Sequence, residues 1–200
     1  MERESLTGNP LDVLARWVAE AAQPTMTQPT MTLATADAAG VPHARTVLVT
    51  AVDATSLSFH SSTPTTKTRD IAARPRVAGV FHWPVLGRQV VLQGVAVELD
   101  AAVSRAAFPT RPLGLRRLAW AYETLAADGA NRSDVVLAPG DVERAFAAAG
   151  DAPDMPPSWT TIRLEPDRAD FWQAGDDDTP ASKTRFTRPD GTWTAHPTLP

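Results

Sequence analysis

The sequence predicts a mainly β fold with added helices, an α+β chain built around a β-barrel. Runs of alternating apolar and polar residues recur over 30–100 and again after 156, and Gly, Pro and Asp clusters separate them. Helical periodicity is confined to the N-terminus and to 101–150. A chain of 200 residues without an internal repeat fits one domain. We therefore expect a single domain over 1–200, with an N-terminal helix at 9–22, a barrel core at 30–100, a helical insert at 101–150 and C-terminal strands at 156–200.

Composition limits the classes of function. The formal net charge of −4 argues against a general nucleic-acid binder. The absence of cysteine excludes disulfides and thiolate metal sites and fits a reducing cytoplasm. No apolar run approaches the ~20 residues that span a membrane, and residues 1–5 are charged, unlike a signal peptide. The acidic run at 176–178 is typical of a solvated loop, so no metal is expected. A small molecule is the expected partner.

The barrel core should contain five strands. Asn9 and Pro10 are typical of a helix start, and the apolar stripe that follows should pack on the sheet. Alternation then predicts strands at 30–36, 42–52, 56–61, 76–83 and 88–99, with a short helix at 65–73. Gly40 permits a hairpin turn after the first strand. Gly94 should bend or break the fifth strand.

The second half of the chain should be helical first and then return to strands. Helices are expected at 100–108, at 115–127 and from Gly140 to about residue 149. Three further β runs follow at 159–164, 168–172 and 183–187. Asp190 and Gly191 then form a strong hairpin signal.

One stretch of the barrel core, residues 43–89, carries the candidate chemistry. Apolar runs there have a cation, hydroxyl or amide at their edges, and strands of a barrel can direct such groups to one place. Arg45 and Lys67 are positive and the Ser/Thr cluster at 61–66 is rich in donors, so the expected ligand is an anion, most simply phosphate. The residues alone leave alternatives open: surface cations beside a sheet, and a strand amide for Gln89.

The order of motifs resembles the pyridoxamine 5'-phosphate oxidase family. The resemblance rests on Arg-x-Val-Leu-Val at 45–49, Phe-x-Ser-Ser at 59–62, Lys67 and Trp-x-x-Leu-x-Arg-Gln-Val at 83–90. It continues through Phe-x-x-Arg-Pro at 108–112, Pro-Pro-x-Trp at 156–159, Asp-Phe-Trp-Gln at 170–173 and Arg-Phe at 185–186. It implies a split β-barrel that binds FMN at a homodimer interface, with residues 156–200 contributing to dimerisation.

The resemblance also implies a cofactor site. Arg45 and Lys67 match cations that bind the FMN phosphate, and Thr66 stands where the family has a further Arg. Gln89 matches the Gln that reaches the flavin ring, while Trp172 and Arg185 match residues expected from the partner subunit. The full set implied is Arg45, Thr46, Val47, Leu48, His60, Ser61, Thr66, Lys67, Gln89, Trp172 and Arg185.

The substrate positions depart from the family pattern. Thr50, Arg111 and Lys183 occupy them. Thr50 stands where the family has a Lys, Lys183 ends the triplet that replaces the family's Arg-Leu-His, and of the family's charged contacts only Arg111 is kept. Ala107 and Leu115 replace a Tyr and a Ser. Each hydrogen bond to a charged group contributes ~1.5–3 kcal/mol, so this set should bind a vitamin phosphate poorly. The resemblance therefore implies an FMN-binding oxidoreductase with a different substrate; no general base is evident. A flavin-binding or sensing protein without turnover, and a deazaflavin-dependent reductase of the same fold, are the alternatives.

Overall fold

An antiparallel sheet that closes on itself dominates the structure, a computed structural model that describes residues 4–21, 29–126, 129–152 and 154–200. The strand order is β3-β2-β1-β4-β5-β6-β7-β8, and β3 also pairs with β6. Six strands thus form a closed barrel, from which β7 and β8 continue the sheet past β6. The strands are β1 Thr30–Ala36, β2 Pro42–Val52, β3 Leu57–Ser62, β4 Arg76–Trp83, β5 Arg88–Glu98, β6 Trp159–Gln173, β7 Ser182–Thr187 and β8 Thr194–Thr198.

Helices surround this barrel, as the α+β prediction required. They are α1 Pro10–Ala21, α2 Thr66–Ala73, α3 Ala101–Ala107, α4 Leu113–Leu125 and α5 Asp141–Ala148. The helix expected at 9–22 begins where predicted, because Asn9 Oδ1 accepts a hydrogen bond from the backbone N–H of Leu11 at 3.0 Å. Residue 22 lies outside the described residues. None of the helices in the described ranges is long and apolar enough to cross a bilayer.

The main core fills the barrel and the space under α1. Leu14 and Trp17 of α1 are fully buried, and the Trp17 ring meets Phe171 of β6 edge-on, with 5.1 Å between ring centroids. Phe59 and Phe81 are also fully buried, on β3 and β4. Burying a large apolar side chain contributes roughly 1.5–3 kcal/mol, so this core holds the barrel closed and fixes the strands that carry the site.

The prediction of separate strands at 159–164 and 168–172 was wrong. Both belong to the single strand β6, which pairs with β5 from Ile162 to Gln173. Gln93 faces Arg168 whereas Gly94 faces Pro166, so β6 contains one extra residue at that point. Pro166 lacks an N–H, and a bulge tolerates this without ending the strand. β5 is not broken at Gly94, but the pairing irregularity expected there is present as the register shift between Gln93 and Gly94. A Cβ at Gly94 would lie 2.1 Å from the carbonyl oxygen of Glu165.

The predicted helix at 100–108 is also shorter in the structure. α3 ends at Ala107, and a 3-10 turn over Phe108–Thr110 connects it to Arg111. Phe108 is fully buried and packs edge-on against Trp159, with 5.0 Å between ring centroids. This small second core, separate from the barrel interior, anchors the helical insert beside β3 and β6.

Candidate functional site

A cavity of about 380 Å³ lies on the outer side of the barrel, between strands β2 and β3 and helix α4. Its volume falls within the ~300–1,000 Å³ typical of small-ligand sites. The predicted site residues that line it come from β2, β3, α2 and the loop before α4. They are Thr46, Val47, Leu48, Thr50, His60, Ser61, Lys67 and Arg111. The barrel therefore brings these eight side chains from distant parts of the sequence to one place.

Lys67 forms the cationic end of the cavity. It lies in the first turn of α2, where its Nζ donates to Ser61 Oγ at 2.9 Å and Thr65 Oγ1 at 3.4 Å. Burial, and secondarily the charge of Arg45, lower the pKa of Lys67 to about 8. Hydroxyl oxygens leave its positive charge unneutralised, so an anion placed here would be bound favourably.

Arg45 lies in a cleft that adjoins the cavity, since Lys67 lines both. Its NH1 donates to Thr35 Oγ1 at 2.7 Å and to the carbonyl oxygen of Leu33 at 3.3 Å. Burial lowers the pKa of Arg45, while the carboxylate of Asp70 acts in the opposite direction. The cleft is lined by Pro42, His43, Ala44, Arg45, Thr66, Lys67 and Ser133. Arg45, Thr66 and Lys67, predicted as one anion site, are therefore neighbours.

Asp70, which was not predicted as a site residue, is the acidic residue that contacts this cation cluster. Its side chain is buried in α2, accepts a hydrogen bond from Thr35 Oγ1 at 2.5 Å and lies 2.9 Å from His43 Nδ1. The same oxygen, Oδ2, lies 3.9 Å from NH2 of Arg45. An acidic residue one helical turn after Lys67 was the only signal of this contact in the sequence.

His60 forms part of the opposite, more apolar wall. Its ring stacks on Trp159, with 4.3 Å between centroids and 29° between planes, and its Nδ1 lies 3.1 Å from Thr161 Oγ1. Burial, and secondarily the charge of Arg111, lower the pKa of His60 to about 4. The imidazole is therefore neutral at pH 7, with one ring nitrogen able to accept a hydrogen bond.

Helix α4 and the segment 131–137 cover the cavity. Arg132 fixes this segment, because its NH1 donates to the carbonyl oxygen of Thr63 at 2.7 Å and its NH2 lies 3.3 Å from Glu123 Oε2. Ser133 Oγ accepts from the backbone N–H of Thr66 at 3.1 Å, at the start of α2. These residues were not predicted, since an irregular segment has no periodicity that indicates what it contacts. The apolar lining from this cover is Leu115, Leu118, Ala119, Tyr122, Leu125, Ala126, Val135 and Leu137.

Four predicted residues, Gln89, Trp172, Lys183 and Arg185, lie outside both the cavity and the adjoining cleft of their own chain. In the sheet register Gln89 faces Trp172, and Trp172 faces Lys183. Arg185 pairs with Asp170, its Nε 2.9 Å from Oδ1. Three strand intervals separate β2 from β5, which is roughly 14 Å along the sheet at ~4.8 Å per strand. Their roles in cofactor and substrate binding stay predictions.

These four side chains nevertheless share a sheet face with the cavity. Directly paired residues point to the same side of a sheet. Pairing runs without interruption along one row, from β2 through β1, β4, β5 and β6 to β7. That row contains Thr46, Thr32, Val80, Val91, Asp170 and Arg185. The cavity and the outlying residues are thus two parts of one outward-facing surface.

Comparison with known proteins identifies the family. The family model described as pyridoxamine 5'-phosphate oxidase matches residues 18–173. The chain belongs to this family. It is 38% identical over 171 residues to the pyridoxine/pyridoxamine 5'-phosphate oxidase of Bordetella avium, covering 85% of this chain and 79% of that protein. The corresponding oxidase of Anaeromyxobacter dehalogenans is 41% identical over 143 residues, covering 72% and 71%. The predicted membership is therefore confirmed.

Solved structures confirm the split-barrel fold. PhzG from Burkholderia lata, in complex with tetrahydrophenazine-1-carboxylic acid, superposes with a TM-score of 0.82 at 23% identity, over 96% of this chain and 93% of PhzG. A pyridoxamine 5'-phosphate oxidase-related, FMN-binding protein from Nostoc punctiforme gives a TM-score of 0.77 at 17% identity, over 98% and 100%. At these identities the likeness concerns the fold.

Proposed function

We propose that this chain is an FMN-dependent oxidoreductase that acts, as a homodimer, on a small molecule less charged than pyridoxine or pyridoxamine 5'-phosphate. The observation that carries the proposal is the polarity of the cavity. Its cationic end is at Lys67, which it shares with the adjoining cleft that contains Arg45, and the side under α4 is apolar. Family membership and the absence of cysteine favour the same function and a cytoplasmic location.

The residues present fit FMN. Its phosphate would be held by Lys67 and Arg45, whose buried charges lack a neutralising partner other than Asp70 among their described contacts. Ser61 and Thr66 would add hydroxyl groups beside it. The planar ring would lie against the part of the cavity wall that Val47 and Leu48 form. A flavin without its phosphate would leave the buried ammonium unpaired, so the cluster favours FMN over riboflavin.

The substrate side of the cavity contains few charges for a second phosphate. The Thr50 hydroxyl donates to the carbonyl oxygen of Ser58 at 3.1 Å, and Leu115 places an apolar side chain in the lining. Arg111 is the cation kept from the family pattern. PhzG was solved with tetrahydrophenazine-1-carboxylic acid, so the fold itself does not restrict a substrate to vitamin phosphates. An apolar molecule with a single anionic group at Arg111 suits this lining best.

Bound FMN would supply the redox chemistry by accepting a hydride from a substrate carbon. The protein residues position and enclose the reactants. Lys67 and Arg45 would hold the phosphate end of the flavin, and α4 would cover the cavity on its apolar side. His60 is neutral at pH 7 because burial and Arg111 lower its pKa to about 4. Its imidazole can therefore accept a hydrogen bond at the ring nitrogen that does not face Thr161, but with so low a pKa it is a poor general base at pH 7.

A homodimer would complete this site. The outward face of the sheet contains Gln89, Trp172 and Arg185, which the barrel holds away from the cavity of their own chain. It also exposes small and apolar side chains, among them Ala44 and Leu48. Packing two such faces about a two-fold axis would bring each set of outlying residues toward the partner's cavity.

The first experiment is a visible absorption spectrum of the purified protein with added FMN, followed by anaerobic addition of pyridoxamine phosphate. We expect a bound flavin spectrum that this compound does not bleach, and bleaching by an apolar monoanionic donor. Rapid bleaching by pyridoxamine phosphate would contradict the altered substrate. A protein that takes up no FMN would overturn the cofactor assignment, and a deazaflavin spectrum would replace it.

Subunit complementation tests the shared site. Two differently tagged chains, one Lys67→Met and one Trp172→Ala, are co-expressed and the heterodimer is purified. If Trp172 serves the partner's cavity, one site in the heterodimer carries both changes and the other carries neither. FMN then fills one site per dimer with wild-type affinity, while both mutant homodimers bind weakly. If each chain completes its own site, no tight site remains in the heterodimer, and the shared interface is refuted.

A further inference from the structure

We propose that His43, held by the buried carboxylate of Asp70, is a third cationic ligand of the FMN phosphate. The inference rests on the proposed function and extends it to two residues that no motif assigns. His43 lines the same cleft as Arg45, Thr66 and Lys67. Its side chain is 34% exposed, whereas that of Asp70 is 4% exposed. The imidazole therefore lies between a buried carboxylate and an accessible cation cluster.

The contacts of Asp70 define how the imidazole is held. Asp70 Oδ2 lies 2.9 Å from His43 Nδ1 and accepts from Thr35 Oγ1 at 2.5 Å. A carboxylate only accepts hydrogen bonds, so Nδ1 is the nitrogen that carries the proton. The ring orientation is thus fixed on the side of the protein interior. Nε2 is the nitrogen left for a ligand, and as part of an imidazolium it would donate to a phosphate oxygen.

The charges around the cleft indicate why a third cation is needed. Arg45 and Lys67 contribute two positive charges, and Asp70, 3.9 Å from Arg45, removes one. A phosphate monoester carries a charge of about −1.5 to −2 at pH 7. Without His43 the cluster would therefore be short of positive charge. With a protonated His43 the three cations and the one carboxylate would carry a net charge of about +2, which matches the phosphate.

Thr66 gives an independent reason for the same assignment. By resemblance to the family, this position would hold a phosphate-binding Arg, and Thr removes that charge. The Thr66 hydroxyl accepts a hydrogen bond from Nδ2 of Asn131 at 3.4 Å. His43 enters the same cleft from β2, the neighbouring wall. The cation lost from α2 is therefore replaced from the strand.

The decisive experiment compares FMN with riboflavin. Dissociation constants of both flavins are measured by fluorescence quenching with the full wild-type chain and with His43→Gln, which keeps a polar side chain of similar size. We expect FMN binding to weaken roughly 10- to 100-fold, as for loss of a charge-assisted hydrogen bond, and riboflavin binding to stay within about twofold. Asp70→Asn should produce the same selective loss; should it fail to fold, His43→Gln still decides the matter.

The failures of the two proposals are distinguishable. If the wild type binds no FMN, the proposed function fails. If the wild type binds FMN and His43→Gln binds it equally well, or loses both flavins equally, His43 is not a phosphate ligand. A spectroscopic readout separates binding from a purely structural role. In protein labelled with ¹⁵N-histidine, the ring resonances of His43 are identified as those that are absent from His43→Gln. They should move to imidazolium values when FMN or inorganic phosphate is added and not when riboflavin is added. Unchanged resonances with FMN would refute the assignment.

Discussion

Replacing Lys67 by Met should stabilise the flavin-free protein and weaken FMN binding at the same time. Met retains most of the length of the side chain and removes its charge. In the folded chain, burial and the nearby Arg45 lower the pKa of Lys67 from 10.5 to about 8. Its hydroxyl partners do not need the lysine, because Ser61 Oγ also donates to the carbonyl oxygen of Ser62 at 2.9 Å. The substitution therefore removes a buried charge and leaves no orphaned partner.

The magnitude follows from the difference in pKa between the folded and unfolded chain. That difference corresponds to a cost of roughly 3 kcal/mol for keeping Lys67 charged at pH 7, an upper limit because the side chain is only partly buried. Between pH 8 and 10.5 the unfolded chain binds more protons than the folded one, so the cost falls as pH rises through this window. Met has no such dependence. Loss of the contact with phosphate should weaken FMN binding about 10- to 100-fold.

Urea denaturation of the flavin-free proteins at pH 7 and at pH 9.5 measures the first effect, and fluorescence titration with FMN measures the second. We expect Lys67→Met to be more stable than wild type by about 1–3 kcal/mol at pH 7, with a smaller advantage at pH 9.5. A variant less stable than wild type at pH 7, or an advantage that does not change with pH, would refute the reasoning on burial. Unchanged FMN affinity would refute the role in phosphate binding.

Three further substitutions test the substrate side, the histidine and the barrel. Thr50→Lys combined with Leu115→Ser restores two family contacts. In anaerobic stopped flow, pyridoxamine phosphate should therefore reduce FMN bound to the double variant at least about tenfold faster than FMN bound to the wild type. An unchanged rate would show that other residues exclude this substrate. The wild type should lose stability as pH falls from 6.5 to 4, because burial lowers the pKa of His60 to about 4 and the unfolded chain then binds more protons. His60→Gln should lose less over this range; an equal change of Tm with pH in the two proteins would contradict that origin. Gly94→Ala should lower the free energy of unfolding, measured with urea, by about 1–3 kcal/mol, since its Cβ would lie 2.1 Å from the carbonyl oxygen of Glu165. Gly114→Ala is the matched control, because there is open space around its Cβ, and it should be neutral or stabilising.

Local patterns were sufficient to predict most of the barrel. Alternation placed five strands between residues 30 and 100, and Pro84 ended β4 where expected, because a 3-10 turn begins there. The failure at β6 has a specific cause. Pro166 and the polar residues around it are typical of a loop, and pairing with β5 keeps them in a strand, while β3 and β7 pair with the residues before and after them. That pairing is non-local and is not encoded within the segment itself.

The site was predictable where its residues are close in sequence and not where the fold brings them together. Ser61 and Lys67 are six residues apart and meet as expected. By contrast, Arg132 reaches Thr63 across 69 positions, from a segment with no helical or strand periodicity. His43 was missed for a different reason. A lone histidine in a strand carries no signal, and its meaning depends on Asp70, 27 positions later.

The arrangement of charges links the stability of this protein to its choice of flavin. Lys67 is held charged and partly buried against hydroxyl groups, which is unfavourable until an anion arrives. A ligand that binds only the folded state stabilises it in proportion to the logarithm of its concentration over its dissociation constant. Under the proposed function, the phosphate of FMN would neutralise the cluster and offset the cost of burying the Lys67 charge, whereas riboflavin would do neither. Selectivity for FMN would then follow from the burial of Lys67, independently of which substrate the apolar side of the cavity accepts.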